Sequence, residues 1–152
     1  MKKYLQFIAF FSGFTDQELE DFSIASDVIR TRKNEFIIRE DEDGKGLFFI
    51  VDGEFLVLKE IEEKKYKRLR RLNKGEFFGE MSLLTKENNS ASVVSSGEGL
   101  LIFLSKKAFE NIESNNRNLP YAIMKKLAVI LSERLQYMNR KYGMAVGQLQ
   151  SE

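Results

Sequence analysis

The stretch Gly75-Glu76-Phe77-Phe78-Gly79-Glu80-Met81-Ser82-Leu83-Leu84 runs on through Thr85-Lys86-Glu87-Asn88-Asn89 into Ser90-Ala91-Ser92-Val93, and it concentrates the residue types able to hold a polar ligand. A glycine-bearing turn that opens a short helical run between two strands presents backbone N–H groups, which makes it an anion site. Glu80, beside that turn, is a carboxylate able to accept hydrogen bonds from a pair of sugar hydroxyls. Other reactive chemistry is scarce. The chain has no Cys, which excludes disulfides and thiolate chemistry, and no His, which removes the commonest general base and metal ligand. Asp41-Glu42-Asp43-Gly44 lacks the ligand spacing of an EF-hand loop and reads as a turn. These features point to binding rather than catalysis, with no metal.

A scaffold must hold that turn. The 152 residues, 43% hydrophobic with thirteen Phe, suffice for one domain with a core. Thr15-Asp16-Gln17-Glu18 is a capping box, flanked by Phe14 and Leu19 as a hydrophobic staple, so a short helix starts there. From Asp27 to Ser105 the pattern changes to short runs rich in Val, Ile, Phe and Leu, broken by Gly, Asn and Asp. Predicted strands are Val28-Thr31, Phe36-Arg39, Leu47-Val51, Phe55-Lys59, Lys67-Leu72, Ala91-Ser95 and Leu100-Leu104, with Gly44, Gly46, Gly53, Gly75 and Gly79 in or beside the connections. Phe48, Phe49, Phe77 and Phe78 read as core, because alternate strand positions must fill the interior.

After the last strand, Leu104-Ser105 followed by Phe109 repeats the cap and staple and opens a helix through about Glu113. A second helix is predicted after Pro120, with Ile123, Leu127, Leu131, Leu135, Met138, Tyr142 and Val146 along one face. Gly143 and Gly147 each weaken it by about 1 kcal/mol relative to Ala, so its end is expected to fray. The predicted fold class is mainly β with flanking helices: an antiparallel β-roll (a double-stranded β-helix or jelly roll) over 27–105, N-terminal helices over 1–26 and C-terminal helices over 106–152, forming one domain. The later turns of the long helix extend past the roll and leave Met138, Tyr142 and Val146 for a second copy or a partner protein; a symmetric homodimer is the simplest case.

Charge sets further limits. The 24 basic and 23 acidic residues give a net charge of +1, so no overall field attracts nucleic acid or anionic lipid. Lys64-Lys65-Tyr66-Lys67-Arg68-Leu69-Arg70-Arg71 reads as a mostly solvated hairpin arm, with Lys67, Leu69 and Arg71 alternating against Arg68, Arg70 and Leu72 and with Glu60, Glu62 and Glu63 near enough to offset it. Neither a nucleic-acid nor a membrane partner is expected. The apolar run from Leu5 to Phe14 is interrupted by Gln6, Ser12 and Gly13 and reads as folded protein rather than a signal peptide; no stretch approaches the roughly 20 apolar residues of a bilayer span. A cytoplasmic location is expected.

Phe78-Gly79-Glu80-Met81-Ser82-Leu83-Leu84 resembles the phosphate-binding cassette of the cyclic nucleotide-binding domain family, which includes the catabolite activator protein and the regulatory subunit of cAMP-dependent protein kinase. Leu47-Phe48-Phe49-Ile50-Val51-Asp52-Gly53 looks like that family's central strand and turn, Phe14 to Phe22 like its leading helix, and Glu133-Arg134-Leu135-Gln136 through Gly143 like the activator protein's dimerising helix. The resemblance implies a regulatory sensor for cAMP or cGMP that signals through its C-terminal helix. It implies ligand contacts from Phe78, Gly79, Glu80, Met81, Ser82, Leu83, Asn89, Ser90 and Ala91, with amides around Ser82 and Leu83 on the cyclic phosphate and Glu80 on the ribose 2′-hydroxyl.

Two departures matter. The family places an Arg before the final cassette strand, where this chain has Asn89; losing a charge-assisted contact of about 1.5 to 3 kcal/mol weakens binding about tenfold to more than a hundredfold. Asn89 retains an amide donor, and Lys86 lies three residues upstream. Met138 stands where the activator protein offers a hydroxyl to adenine, with Asn139 beside it. The alternative implied by Asn89 is an interaction or dimerisation module whose cassette has lost its nucleotide.

Overall fold

Gly46-Leu47-Phe48-Phe49-Ile50-Val51 carries no polar side chain, so a strand built from it needs cover on both faces. The computed structural model, which describes residues 1–151, provides that cover. The elements run α1 (Lys2–Leu5), a 3-10 turn (Ala9–Phe11), α2 (Asp16–Ala25), β1 (Asp27–Thr31), β2 (Phe36–Ile38), β3 (Gly46–Asp52), β4 (Phe55–Glu62), β5 (Lys65–Leu72), β6 (Phe77–Phe78), α3 (Met81–Leu84), β7 (Ser92–Ser95), β8 (Gly99–Ser105), α4 (Lys106–Asn115) and α5 (Asn118–Ser151). Two antiparallel four-stranded sheets form, one in the order β1-β8-β3-β6 and the other β2-β7-β4-β5.

Alternation along the first sheet makes two cores from one set of strands. Leu47, Phe49, Val51, Phe77, Ile102 and Leu104 face the helices, where they meet Leu5, Phe10, Phe11, Phe22, Phe109, Ile123 and Leu127. Phe48, Ile50, Phe78 and Leu101 face the second sheet and meet Ile38, Phe55, Leu72 and Val93. Phe49 is fully buried, with the rings of Phe10, Phe11, Phe22 and Phe77 at 4.9, 4.8, 5.7 and 5.9 Å.

The caps are where the sequence puts them. Thr15 Oγ1 accepts from the Glu18 amide at 3.1 Å, and Ser105 Oγ accepts from the Ala108 amide at 3.0 Å. Three details differ from expectation. The two-residue strand β6 has no strand pattern of its own and is recruited by pairing Phe78 with Phe48 and Phe77 with Phe49. The long helix starts at Asn118 rather than after Pro120: Asn116 Oδ1 accepts from the amides of Asn118 and Leu119, at 3.0 and 3.2 Å, and Pro120 falls in the first turn, which needs no donor from it. That helix also continues through Gly143 and Gly147 to Ser151.

With 34 residues, α5 is about 51 Å long. Leu119, Ile123 and Leu127 bury it against the roll, whereas Leu135, Met138 and Tyr142 are 59, 64 and 74% exposed. Among the described residues, no helix is long and apolar enough to cross a membrane.

Because Phe49 joins the helices to the sheet, Phe49→Ala should cost about 3 to 5 kcal/mol in urea unfolding followed by circular dichroism. A loss below about 1 kcal/mol would mean that the helical layer is not packed this way.

Candidate functional site

β6 directs Phe77 into the helical core and Phe78 into the inter-sheet core, and the chain must then turn at once. Gly79 makes that turn at φ +82°, packed so closely on β3 that a Cβ there would lie 2.3 Å from the Gly46 carbonyl oxygen. Glycine is the one residue that meets both conditions. The next residues close the single turn of α3: the Ser82 amide donates to the Gly79 carbonyl at 3.1 Å and the Leu83 amide to the Glu80 carbonyl at 3.0 Å. Ser82 Oγ also donates to the Gly79 carbonyl, at 2.7 Å. Ser82 is buried against Gly44, where an added Cβ would meet its own Cβ at 2.3 Å.

The second wall is a loop tied down at Asn89. Its amide donates to the Glu42 carbonyl and its carbonyl accepts from the Asp41 amide, both at 2.9 Å, while Nδ2 donates to the Arg39 carbonyl at 2.9 Å. Asn89 therefore directs a side-chain hydrogen bond into the 39–42 loop, where the sequence reading kept that donor for a ligand. Lys59 secures the next residue, donating to the Ser90 carbonyl at 2.8 Å and pairing with Glu40. The hydrogen bond from Lys59, with another from the Glu60 amide, holds the Glu40 carboxyl below the usual carboxylate range.

Between these walls lies a cavity of about 240 Å³. Eight of the nine expected contact residues line it: Phe78, Gly79, Glu80, Met81, Ser82, Asn89, Ser90 and Ala91. Leu83 does not, because its side chain packs against the helical core. Ile38, Val57, Leu72 and Val93 give the second sheet's contribution an apolar surface.

Two arginines also line the cavity, and the sequence reading assigned neither to it. Arg70 shares the inward face of β5 with Leu72, so the period of two in the basic run already held the signal. Arg134 lies seven residues after the buried Leu127 and eleven after Ile123, on the same stripe of α5. Arg70 Nη2 donates to Glu76 Oε1 at 3.0 Å. The Arg134 guanidinium sits over the Phe77 ring at 4.8 Å from its centroid, with Nη1 3.7 Å from Glu80 Oε1. The rest of the basic arm is exposed; Lys65 pairs with Glu62 and Arg71 with Glu54. Among the described residues, no group of three or more acidic side chains is placed to hold a metal ion.

A two-sheet roll backed by helices, with a glycine turn and a carboxylate set into one cavity, defines a small-ligand binding domain. The chain belongs to the cyclic nucleotide-binding domain family, whose model matches residues 28–116. It is 28% identical over 111 residues to a cGMP-dependent protein kinase of Caenorhabditis briggsae, a match covering 72% of this chain and 15% of the kinase. To the type II regulatory subunit of cAMP-dependent protein kinase from Drosophila melanogaster it is 34% identical over 79 residues, 51% of this chain and 21% of that subunit. The chain thus spans a minor part of each curated relative. The crystal structure of the Thermus thermophilus catabolite activator protein superposes with a TM-score of 0.75 at 24% identity, over 89% of this chain and 62% of that one, so the fold is shared.

The Gly46–Gly79 contact generates a direct test. Gly79→Ala combines a left-handed backbone with a 2.3 Å clash, so it should lose at least about 1 to 3 kcal/mol in denaturant unfolding. Gly97→Ala, with open space around it and no left-handed φ, should change stability by less than about 1 kcal/mol.

Proposed function

We propose that this chain is a cyclic nucleotide sensor that binds cAMP or cGMP in the cavity behind Gly79 and signals through α5. In this reading the cyclic phosphate lies over α3 and shares the Ser82 and Leu83 amides with the carbonyls they already meet. Glu80 accepts from the ribose 2′-hydroxyl. The purine occupies the apolar side formed by Ile38, Val57, Leu72 and Val93. One observation carries the reading: residues from 78 to 82 and from 89 to 91, separate in sequence, converge on one cavity together with a residue of α5. Ligand shifts α5 only to the extent that it binds its two arrangements unequally.

The exposed part of α5 supports a homodimer as the output. Leu131, Leu135, Met138, Tyr142, Ala145 and Leu149 follow alternating steps of four and three, the seam of a two-stranded coiled coil. A second reading, an interaction module without a nucleotide, is favoured by the bond from Asn89 to Arg39.

A thermal melt with cAMP, with cGMP and with neither separates the two. At about 100 times its dissociation constant the ligand should raise the midpoint by roughly 5 to 10 °C. No shift with either nucleotide at millimolar concentration would favour the ligand-free module. For the output, light scattering on the full chain should give a dimer mass, reduced to that of a monomer by the paired substitutions Leu135→Glu and Tyr142→Glu; a monomeric starting protein would refute the homodimer.

A further inference from the structure

The family's cassette arginine is absent, yet the cavity does not lack a cation. Of its two arginines, Arg70 is committed to Glu76 by a 3.0 Å hydrogen bond. Arg134 is committed to nothing so firmly. One face of its guanidinium rests on Phe77, and its contact with Glu80 is 3.7 Å, beyond hydrogen-bond length. Among the described residues, no hydrogen bond uses any of its five N–H donors. The side chain is 32% exposed and its partner Glu80 16%, so solvent screens this pair less than the Arg70–Glu76 pair, at 45 and 35%. A planar fork of donors at a cavity wall, restrained on one face by an aromatic ring and short of acceptors, suits a phosphate, which can accept two parallel bonds.

We propose that Arg134 is the residue that pairs with the anionic group of the ligand, taking from α5 the role that the family's arginine takes at position 89. The assignment rests on the reading of this cavity as a cyclic nucleotide site and deepens it. It also explains how the cassette tolerates Asn89, whose side chain ties down the 39–42 loop. The consequence is mechanical. Arg134 lies on the stripe that begins with Ile123 and Leu127, so holding the phosphate and seating this part of α5 on the roll become one event.

The test is isothermal titration of cAMP and of cGMP into the full chain as wild type, Arg134→Gln, Asn89→Arg and the double variant, with a melt of each protein alone to check folding. Arg134→Gln should bind at least about tenfold more weakly while melting within about 2 °C of wild type, and Asn89→Arg should restore affinity in the double variant. Arg134→Lys, which keeps the charge and loses the fork, should fall between wild type and Arg134→Gln, and it replaces Arg134→Gln as the test if that variant unfolds early. Wild-type or tighter binding by Arg134→Gln would overturn the assignment and leave the cavity reading intact. Binding by Asn89→Arg with none by wild type would do the same. If no variant binds either nucleotide, the cavity reading fails and the assignment falls with it.

Discussion

Where β6 ends, the backbone of Gly79 lies against the carbonyl of Gly46 with no room for a side chain between them. Much of the site's geometry follows from that approach. It brings the start of α3 onto the first residue of β3, and β3 is the strand buried on both faces that joins the inter-sheet core to the helical core. Gly44, two residues earlier, packs on Ser82 in the same way, so the turn is fixed from two sides by missing side chains rather than by ion pairs. A site fixed this way is stiff, because backbone contacts have no rotamers to relax into.

The same strand pair connects the cavity in the roll with the helix outside it. Phe77 and Phe78 are neighbours in sequence but belong to different cores. Phe78 lines the cavity and stacks on Phe48 at 4.9 Å, while Phe77 packs on Phe10 and Phe49 and carries the Arg134 guanidinium on its ring. The turn at Gly79 is thus joined to α5 at two points, the Phe77 ring under the Arg134 guanidinium and Glu80 beside it. Beyond Arg134 the helix leaves the roll, and Leu135, Met138, Tyr142 and Leu149 face solvent.

Most of the fold was legible because its signals are local. Thr15 and Ser105 announce their helices by cap and staple, and the glycines at 44, 46, 75 and 79 mark turns that the structure uses. β6 was not legible, since two phenylalanines have no period and owe their strand to partners nearly thirty residues away. Most residues that line the cavity come from one continuous stretch, 78–91, although the Leu83 side chain turns to the helical core. The two arginines were harder. Arg70 sits in a run whose charge suggested solvent, although its parity with Leu72 points inward; Arg134 needed the register of α5 against the roll, which depends on the start at Asn118 set by Asn116. The fate of the Asn89 side chain depends on the distant Arg39 carbonyl and no sequence pattern carries it.

The central claim is that residues 78–82, 89–91 and 134 form one nucleotide site. Amide chemical-shift mapping of the ¹⁵N-labelled protein during titration with cAMP and cGMP tests it most directly. The account predicts that the largest changes cluster at Gly79 to Ser82, at Asn89 to Ala91 and around Arg134, with α1 and β1 unmoved. Changes confined to the exposed basic strand β5, or none at millimolar nucleotide, would contradict it.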